Sequence, residues 1–94
     1  MVIGICTIKL YLPSVHSLKE KRSVLKSIIT RVSREFNVSI AEVDLQDMWQ
    51  TTVLGISTVS NDAAYAHGVL EHVVKWIETN RPDVQVLEFA VEML

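Results

Sequence analysis

The chain has 94 residues, 49% of them hydrophobic, and a formal net charge of −2. This length allows one domain, residues 1–94, with enough apolar side chains for a packed core. The charge argues against a general nucleic-acid binder, and the single cysteine, Cys6, excludes an internal disulfide or a zinc site built from cysteines. Since no apolar run reaches the roughly 18 residues that span a bilayer and no signal-peptide cleavage pattern is seen, we expect a cytoplasmic protein.

The first segment, residues 2–12, alternates in the manner of a β-strand. Gly4, Cys6 and the following even-numbered residues are predicted to face the helices, with Gly4 admitting a close helix approach and Cys6 a small core residue rather than a reactive thiol. Both faces are apolar, which is typical of a central strand. The opposite face consists of Ile3, Ile5, Thr7, Lys9 and Tyr11.

The second segment, residues 17–36, has the period of an amphipathic helix. Ser17 and Glu20 have the spacing of a capping box, so the helix is predicted to begin at Ser17. Asn37 is predicted to form a left-handed cap at the other end. The apolar stripe consists of Leu18, Leu25, Ile28, Ile29, Val32 and Phe36.

Residues 38–45 and 50–60 are rich in β-branched side chains, and a short link at residues 46–49 predicts that they form a hairpin. A change of apolar phase predicts a bulge near Ala41 and Glu42. Glu42 and Asp44 are expected on one strand face as solvated edge charges, with a cation site as the alternative. We interpret Trp49 as a cover over the end of the core, with a ligand platform as the alternative.

Asn61 or Asp62 is predicted to cap a second helix that ends near Asn80, with Trp76 at the edge of its apolar stripe. Residues 84–93 alternate as the closing strand, with Val86 and Glu88 expected on the open side of the sheet. The order β-α-β-β-α-β with right-handed crossovers predicts an α+β, ferredoxin-like fold. Its four-stranded antiparallel sheet has the order 4-1-3-2, with both helices on one face.

Positive charge is concentrated in one helix, because residues 17–36 hold six of the nine basic residues and only two of the eleven acidic ones. Cations in the first two turns are disfavoured by the helix dipole, so their presence there indicates an anion contact. Lys19, Arg22 and Lys26 are expected on one flank of the apolar stripe and Lys21 on the other. The candidate anion or RNA site consists of Ser17, Lys19, Lys21, Arg22 and Lys26, with Arg31 and Arg34 as weaker contributors; the alternative is a solvated lysine-rich face.

The open side of the predicted sheet is the second candidate surface, formed by Ile3, Ile5, Lys9 and Tyr11. It is too apolar to face water alone, which favours a homo-oligomer or a partner protein, with a small anionic ligand at such an interface as a further option. Lys9 and Tyr11 are also a second possible RNA contact.

No constellation of catalytic residues is present, so we expect a protein that is not an enzyme and carries no cofactor or metal. His16, His67 and His72 lack the spacing of metal ligands on a helix and are expected at the surface. The loop at residues 13–16 has neither the glycines nor the arginine of acylphosphatase-like enzymes. Residues 51–57 lack the aromatic pattern of RNA-recognition modules that bind on the sheet.

The sequence Ser17-Leu18-Lys19-Glu20-Lys21-Arg22, followed by Phe36-Asn37-Val38-Ser39 and then Ala41-Glu42, resembles the YlxP-like family of short bacterial proteins with a domain of unknown function. The resemblance covers essentially the whole chain. It implies a ferredoxin-like fold and genes that often lie among those for translation and ribosome maturation factors. It implies no established activity and no catalytic residues, and it favours a role linked to RNA or the ribosome.

Overall fold

The computed structural model describes residues 1–94 as four strands and two helices around one antiparallel sheet. The elements are β1 (Val2–Tyr11), α1 (Leu18–Glu35), β2 (Ser39–Asp44), β3 (Thr51–Ser60), α2 (Ala63–Asn80) and β4 (Gln85–Met93). The strands lie in the order β2-β3-β1-β4. This is the predicted order 4-1-3-2 read from the other edge, so the ferredoxin-like fold is confirmed.

The core lies between one face of the sheet and the two helices. The even-numbered residues of β1 point into it: Cys6, Ile8 and Leu10 are fully buried. Gly4 lies beneath α2, where an added Cβ would come within 2.9 Å of Leu70 Cδ1, which confirms the close approach expected there. Burial raises the pKa of the Cys6 thiol to about 11, so the thiol stays protonated at neutral pH and Cys6 is the expected core residue.

Side-chain caps begin both helices. Ser17 Oγ accepts a hydrogen bond from the Glu20 backbone N–H at 3.1 Å, and Asp62 Oδ1 accepts from Ala64 N–H at 2.9 Å. The start of α1 at Ser17 is therefore confirmed. The left-handed cap at Asn37 is wrong, because α1 ends at an extended Phe36 and Leu45 is the only residue with a positive φ, 60°.

The two edge strands each contain an irregularity that reverses which side their residues face. In β2 the pairing with β3 shifts between Glu42 and Asp44, close to the predicted bulge. Glu42 pairs with Leu54 on the helix side, whereas Asp44 pairs with Val53 on the open side. The expectation that these two carboxylates share a strand face is therefore wrong.

A second register shift in β4 corrects the placement of Val86. The shift occurs opposite Lys9 and Leu10 of β1, so Val86 pairs with Leu10 and packs against the core instead of lying on the open side. Glu88, beyond the shift, pairs with Lys9 and lies on the open side as expected. The irregular pairing allows β4 to remain apolar toward the core on both sides of the shift.

Arg81, just after α2, links the end of that helix to the middle of α1. Its Nη1 donates to Ser27 Oγ of α1 at 2.7 Å, while Nε and Nη2 donate to both carboxylate oxygens of Asp83. This paired hydrogen bond lowers the pKa of the Asp83 carboxyl and raises that of Arg81. Neither helix is long and apolar enough to cross a membrane.

Candidate functional site

The outward side of α1 is basic. Lys19, Arg22, Lys26 and Arg34, which we call the basic face of α1, are all exposed and take part in none of the three ion pairs of the chain. At 100° per residue, the side chains between them on the same side of the helix carry hydroxyl groups and no carboxylate. These hydroxyl residues are Ser23, Thr30 and Ser33. Ser27 lies just beyond Arg34 around the helix, and its hydroxyl accepts a hydrogen bond from Arg81.

Lys21 does not belong to this surface, which corrects the prediction that it is part of the anion site. Its side chain is only 1% exposed and points inward, with Nζ 2.9 Å from Glu42 Oε2. The same ammonium group donates to the backbone carbonyls of Leu45 at 2.7 Å and Met48 at 2.6 Å. All three donors of the lysine are thus used within the protein, so none is left for a ligand.

The position of Lys21 follows from the helical period. Lys21, Leu25, Ile28 and Val32 are separated by four, three and four residues and are the buried residues of α1. Lys21 therefore lies in the apolar stripe itself, not on its flank. The four- and three-residue spacing of Lys21 from Leu25, Ile28 and Val32 can be seen in the sequence. It is the signal that identifies Lys21 as a buried residue.

The start of α1 is already occupied by side chains of the chain itself. Ser17 Oγ binds the Glu20 N–H, and Glu20 Oε2 accepts a hydrogen bond from His16 N–H at 2.8 Å. Ser17 therefore acts as a helix cap, and the Glu20 carboxylate offsets part of the positive end of the dipole. The exposed cations beyond the cap, rather than the backbone N–H groups at the helix start, are the groups available to an anion.

Arg31 lies beside the basic face but has a partner. Its guanidinium carbon is 5.7 Å from the centre of the Trp76 ring of α2, in the range of a cation–π contact. Trp76 is partly buried and packs at the edge of the core, as expected from the sequence. The contact still leaves Arg31 exposed, so its charge adds to the positive potential of this side of the molecule.

The segment between β2 and β3, which we call the 45–50 loop, is held in place from two directions. Lys21 binds the carbonyls of Leu45 and Met48 from α1. From the loop that precedes α1, the carbonyls of Pro13 and Val15 accept hydrogen bonds from Gln50 Nε2 at 3.2 and 3.1 Å. The loop therefore has a fixed shape and connects the start of α1 to one end of the sheet.

Glu42 completes the environment of Lys21. Its carboxylate accepts a hydrogen bond from the Thr52 hydroxyl at 2.7 Å in addition to the ion pair with Lys21. Glu42 is therefore neither a solvated edge charge nor half of a cation site with Asp44, whose own carboxylate accepts from Leu45 N–H. The group formed by Lys21, Glu42 and Thr52 is a polar cluster inside the fold that positions the 45–50 loop.

Trp49 does not cover the end of the core, which corrects that interpretation. It is 54% exposed, as is its neighbour Met48. Together with Tyr11 at the end of β1 they line a cavity of about 450 Å³, completed by Asp47, Gln50 and Thr51. The cavity opens at the end of the sheet that the 45–50 loop borders.

The open side of the sheet has the residues expected from the alternation of β1. Ile3 and Ile5 are partly exposed and pair with Val59 and Ser57 of β3, while Lys9 pairs with Val53. Val59 is 61% exposed. We call this surface, formed by Ile3, Ile5, Val53 and Val59 with Lys9 and Tyr11, the open sheet face.

The histidines lie at the surface. His16, His67 and His72 are exposed, and His67 Nδ1 lies 3.0 Å from Glu71 Oε1 on the next turn of α2. No group of three or more histidine, cysteine, aspartate or glutamate residues is arranged to hold a metal ion.

Comparisons with known proteins agree with this fold. A solution NMR structure of a de novo designed protein with a ferredoxin fold, LFR1 1, superposes with a TM-score of 0.58. It shares 16% sequence identity and is matched over 100% of this chain and 84% of its own, so it supports the fold alone.

The sequence comparisons identify relatives. The uncharacterized protein YlxP of Bacillus subtilis (strain 168) is 42% identical over 78 residues, which cover 83% of this chain and 85% of that protein. Residues 3–91 match the model of a family described as a protein of unknown function, DUF503. The chain therefore belongs to the DUF503 family, as the resemblance of its basic helix to YlxP-like proteins indicated.

Proposed function

We propose that this protein is a non-catalytic RNA-binding protein that contacts the phosphates of structured RNA, such as a ribosomal surface, through the basic face of α1. The observation that carries the proposal is the set of four exposed cations, Lys19, Arg22, Lys26 and Arg34, without an ion-pair partner on a chain of net charge −2. Phosphate contacts from lysine and arginine supply most of the affinity of sequence-independent nucleic-acid binding.

The arrangement of the basic face suits an extended ligand. From Lys19 to Arg34 the helix rises about 22 Å at 1.5 Å per residue, so the cations are spread along its length rather than gathered at one point. Serine and threonine hydroxyls lie between them, and these groups also donate hydrogen bonds to phosphate oxygens. A row of donors of this kind fits a phosphate backbone better than a single small anion.

The charges are also poorly placed for stability, which supports a binding role. Lys19 and Arg22 lie in the first turns of α1, where each exposed cation opposes the dipole by about 0.3–1 kcal/mol. Lys21, in the same turns, is compensated by Glu42 and two carbonyls, but Lys19 and Arg22 have no such partner. A phosphate ligand supplies the missing negative charge.

The experiment is a filter-binding titration against ribosomal RNA at low salt. We expect the double substitution Lys19→Glu and Lys26→Glu to weaken binding at least about tenfold, since each lost phosphate contact removes counterion release. The matched control is Lys75→Glu, which reverses an exposed charge on α2 and is expected to change affinity less than about twofold, by long-range electrostatics alone.

The salt dependence gives a second readout of the same proposal. Four phosphate contacts predict that log K falls with log salt at a slope of about −3 to −4, and that the double variant has a shallower slope. Absence of binding at low salt, or an equal loss in the Lys75→Glu control, would refute a contact through α1.

Self-association through the open sheet face is a second candidate function. Ile3 and Val59 lie directly opposite each other on β1 and β3, and Val59 is 61% exposed, so apolar surface is continuous across two strands. Pairing of two such faces would remove this surface from water. The candidate is compatible with RNA binding, because α1 lies on the other side of the sheet.

Sedimentation velocity tests this second candidate. We expect a dimer whose proportion does not change over a wide concentration range and which the substitution Ile5→Glu converts to monomer. The control is Tyr65→Glu, which changes a 68% exposed apolar residue of α2, away from the open sheet face, and should leave the dimer intact. A monomer at all concentrations would exclude this function.

A further inference from the structure

We propose that the cavity formed by Tyr11, Met48 and Trp49 binds an unpaired nucleobase, preferably one with an exocyclic amino group. The base belongs to the RNA bound by α1, so this inference rests on the proposed function and identifies the part of the RNA that the 45–50 loop contacts. Three features of the site lead to this assignment.

The first feature is the size and lining of the cavity. Its volume of about 450 Å³ is within the range of small-molecule sites, and two aromatic side chains, Tyr11 and Trp49, contribute to its walls. Trp49 and Met48 each leave 54% of their surface exposed. Exposed aromatic rings are the usual platform on which unpaired bases stack.

The second feature is the rigidity of the loop that presents Trp49. Lys21, itself 1% exposed, uses two of its three donors on the carbonyls of Leu45 and Met48. Leu45 is held at a φ of 60°, a conformation that costs energy for a residue other than glycine. A buried charge and a residue in an unfavourable backbone conformation thus hold the 45–50 loop in a shape that exposes its apolar side chains to water. Because the loop is already ordered, it loses little conformational entropy when a ligand binds.

The third feature is the polarity of the rim. Asp47 is exposed, lines the cavity and takes part in none of the three ion pairs. Its carboxylate only accepts hydrogen bonds and repels phosphate. The amide nitrogen of Gln50 is occupied by Pro13 and Val15, which leaves its carbonyl oxygen as a second acceptor. Acceptors at the rim suit the amino groups of adenine, cytosine or guanine better than the carbonyl groups of uracil.

The basic face points away from the sheet on the helix side, whereas Tyr11 belongs to the open sheet face. An RNA that contacts both must therefore pass around the end of the sheet that the 45–50 loop borders. Lys21 lies within one turn of Lys19 and Arg22, and its ammonium group binds the backbone of the loop that carries Trp49. The 45–50 loop is thus attached to the helix that carries the basic face, and the same loop lines the cavity. Lys9 lies two residues before Tyr11 on the same face of β1 and is a further cation of the open sheet face.

The first experiment uses adenosine, which has no phosphate and so does not depend on the basic face of α1. Titration into the ¹⁵N-labelled full chain is expected to shift the amide resonances of Tyr11 and residues 47–51, and uridine is expected to do so more weakly. Trp49→Ala should abolish these shifts, Trp49→Phe should retain part of them, and Tyr65→Ala, the matched exposed aromatic on α2, should leave them unchanged. Absence of shifts in the cavity, or shifts that persist in Trp49→Ala, would overturn the proposal.

The second experiment compares a single-stranded oligoadenylate with its abasic counterpart, which keeps the sugar–phosphate backbone. We expect Trp49→Ala to weaken binding of the base-containing oligomer about tenfold, the effect of losing one stacked base, and to leave the abasic oligomer unaffected. An equal effect on both oligomers, or on neither, would refute base recognition.

The same pair of oligomers separates the two proposals. The double substitution Lys19→Glu and Lys26→Glu should weaken binding of both oligomers alike, because both carry phosphates. If it weakens neither while Trp49→Ala still weakens the base-containing one, contact through α1 fails and base binding in the cavity is supported.

Discussion

The two helices cover the same face of the sheet but differ in the residues that they bury and expose. Each has 18 residues, begins at a side-chain cap and packs on the same side of the sheet. The buried residues of α2 are all apolar, whereas α1 buries Lys21 among its apolar residues. The exposed charges of α2 are one lysine, Lys75, and two carboxylates, Glu71 and Glu78. Those of α1 are five cations and two carboxylates: Lys19, Arg22, Lys26, Arg31 and Arg34, with Glu20 and Glu35.

This difference shows which features the fold requires. Since α2 covers its half of the sheet without a buried charge or a basic surface, neither property of α1 is needed to form a helix or a core. Lys21 is explained by the 45–50 loop, to which it binds. For the basic face we propose a ligand outside the protein. The following predictions test this separation, beginning with the largest expected effect.

Replacement of the buried lysine should destabilise the protein most. Lys21→Met keeps the aliphatic volume but leaves two carbonyls and the Glu42 carboxylate without their partner, which is expected to cost about 2–4 kcal/mol in the free energy of unfolding. Urea denaturation measures this loss. Lys19→Met, which removes an exposed lysine from the same helix, is the control and should not lower stability, because loss of a cation at the positive end of the dipole is favourable by about 0.3–1 kcal/mol. A Lys21→Met variant no less stable than the control would mean that the cluster around Lys21 does not stabilise the fold.

Substitution of Gly68 in α2 should change the free energy of unfolding less than Lys21→Met does, and in the stabilising direction. Gly68 lies within α2, and an added Cβ would meet no atom within 4 Å. Gly68→Ala is therefore expected to stabilise the protein by about 0.5–1 kcal/mol, since alanine loses less backbone entropy on folding. Thermal unfolding should show a higher Tm. Gly4→Ala is the contrasting control, because its Cβ would approach Leu70 Cδ1 to 2.9 Å and gives no such benefit.

A substitution at Lys19, near the start of α1, is expected to change protein stability and RNA affinity in opposite directions. Lys19→Glu exchanges a cation for an anion at the positive end of the helix dipole and is expected to raise stability by about 0.3–1 kcal/mol. The same substitution should lower RNA affinity. Paired measurements of Tm and of binding on one preparation check this; a rise in both would show that Lys19 does not contact RNA.

The sequence was sufficient for the fold because the signals that determine it are local. Alternation in β1, the period of both helices and the caps at Ser17 and Asp62 depend on neighbouring residues, and the structure has them as predicted. Val86 was misplaced because a register shift in β4 reverses the side that each following residue faces. Such a shift is a property of strand pairing, which residue alternation alone does not report.

The candidate site was predicted only in part, since its arrangement depends on contacts distant in sequence. Lys21 binds carbonyls 24 and 27 residues away, and a pattern that treats every lysine as a surface residue does not detect such a contact. Lys19, Arg22 and Lys26 were placed correctly on the exposed side of the helix. The exposure of Trp49 depends on the conformation of the 45–50 loop, whose carbonyls Lys21 binds, and the residue pattern at the turn does not report that conformation.

The attachment of the 45–50 loop to α1 also has a dynamic consequence. The Met48 amide donates to the Leu45 carbonyl, which at the same time accepts from Lys21. Exchange of this amide with solvent deuterium requires that the turn from Leu45 to Met48 open, and we expect this opening to break the contacts of Lys21 with both carbonyls. Although the loop lies near the surface, its protection should follow that of the inner turns of α1, so that the two segments open as one cooperative unit.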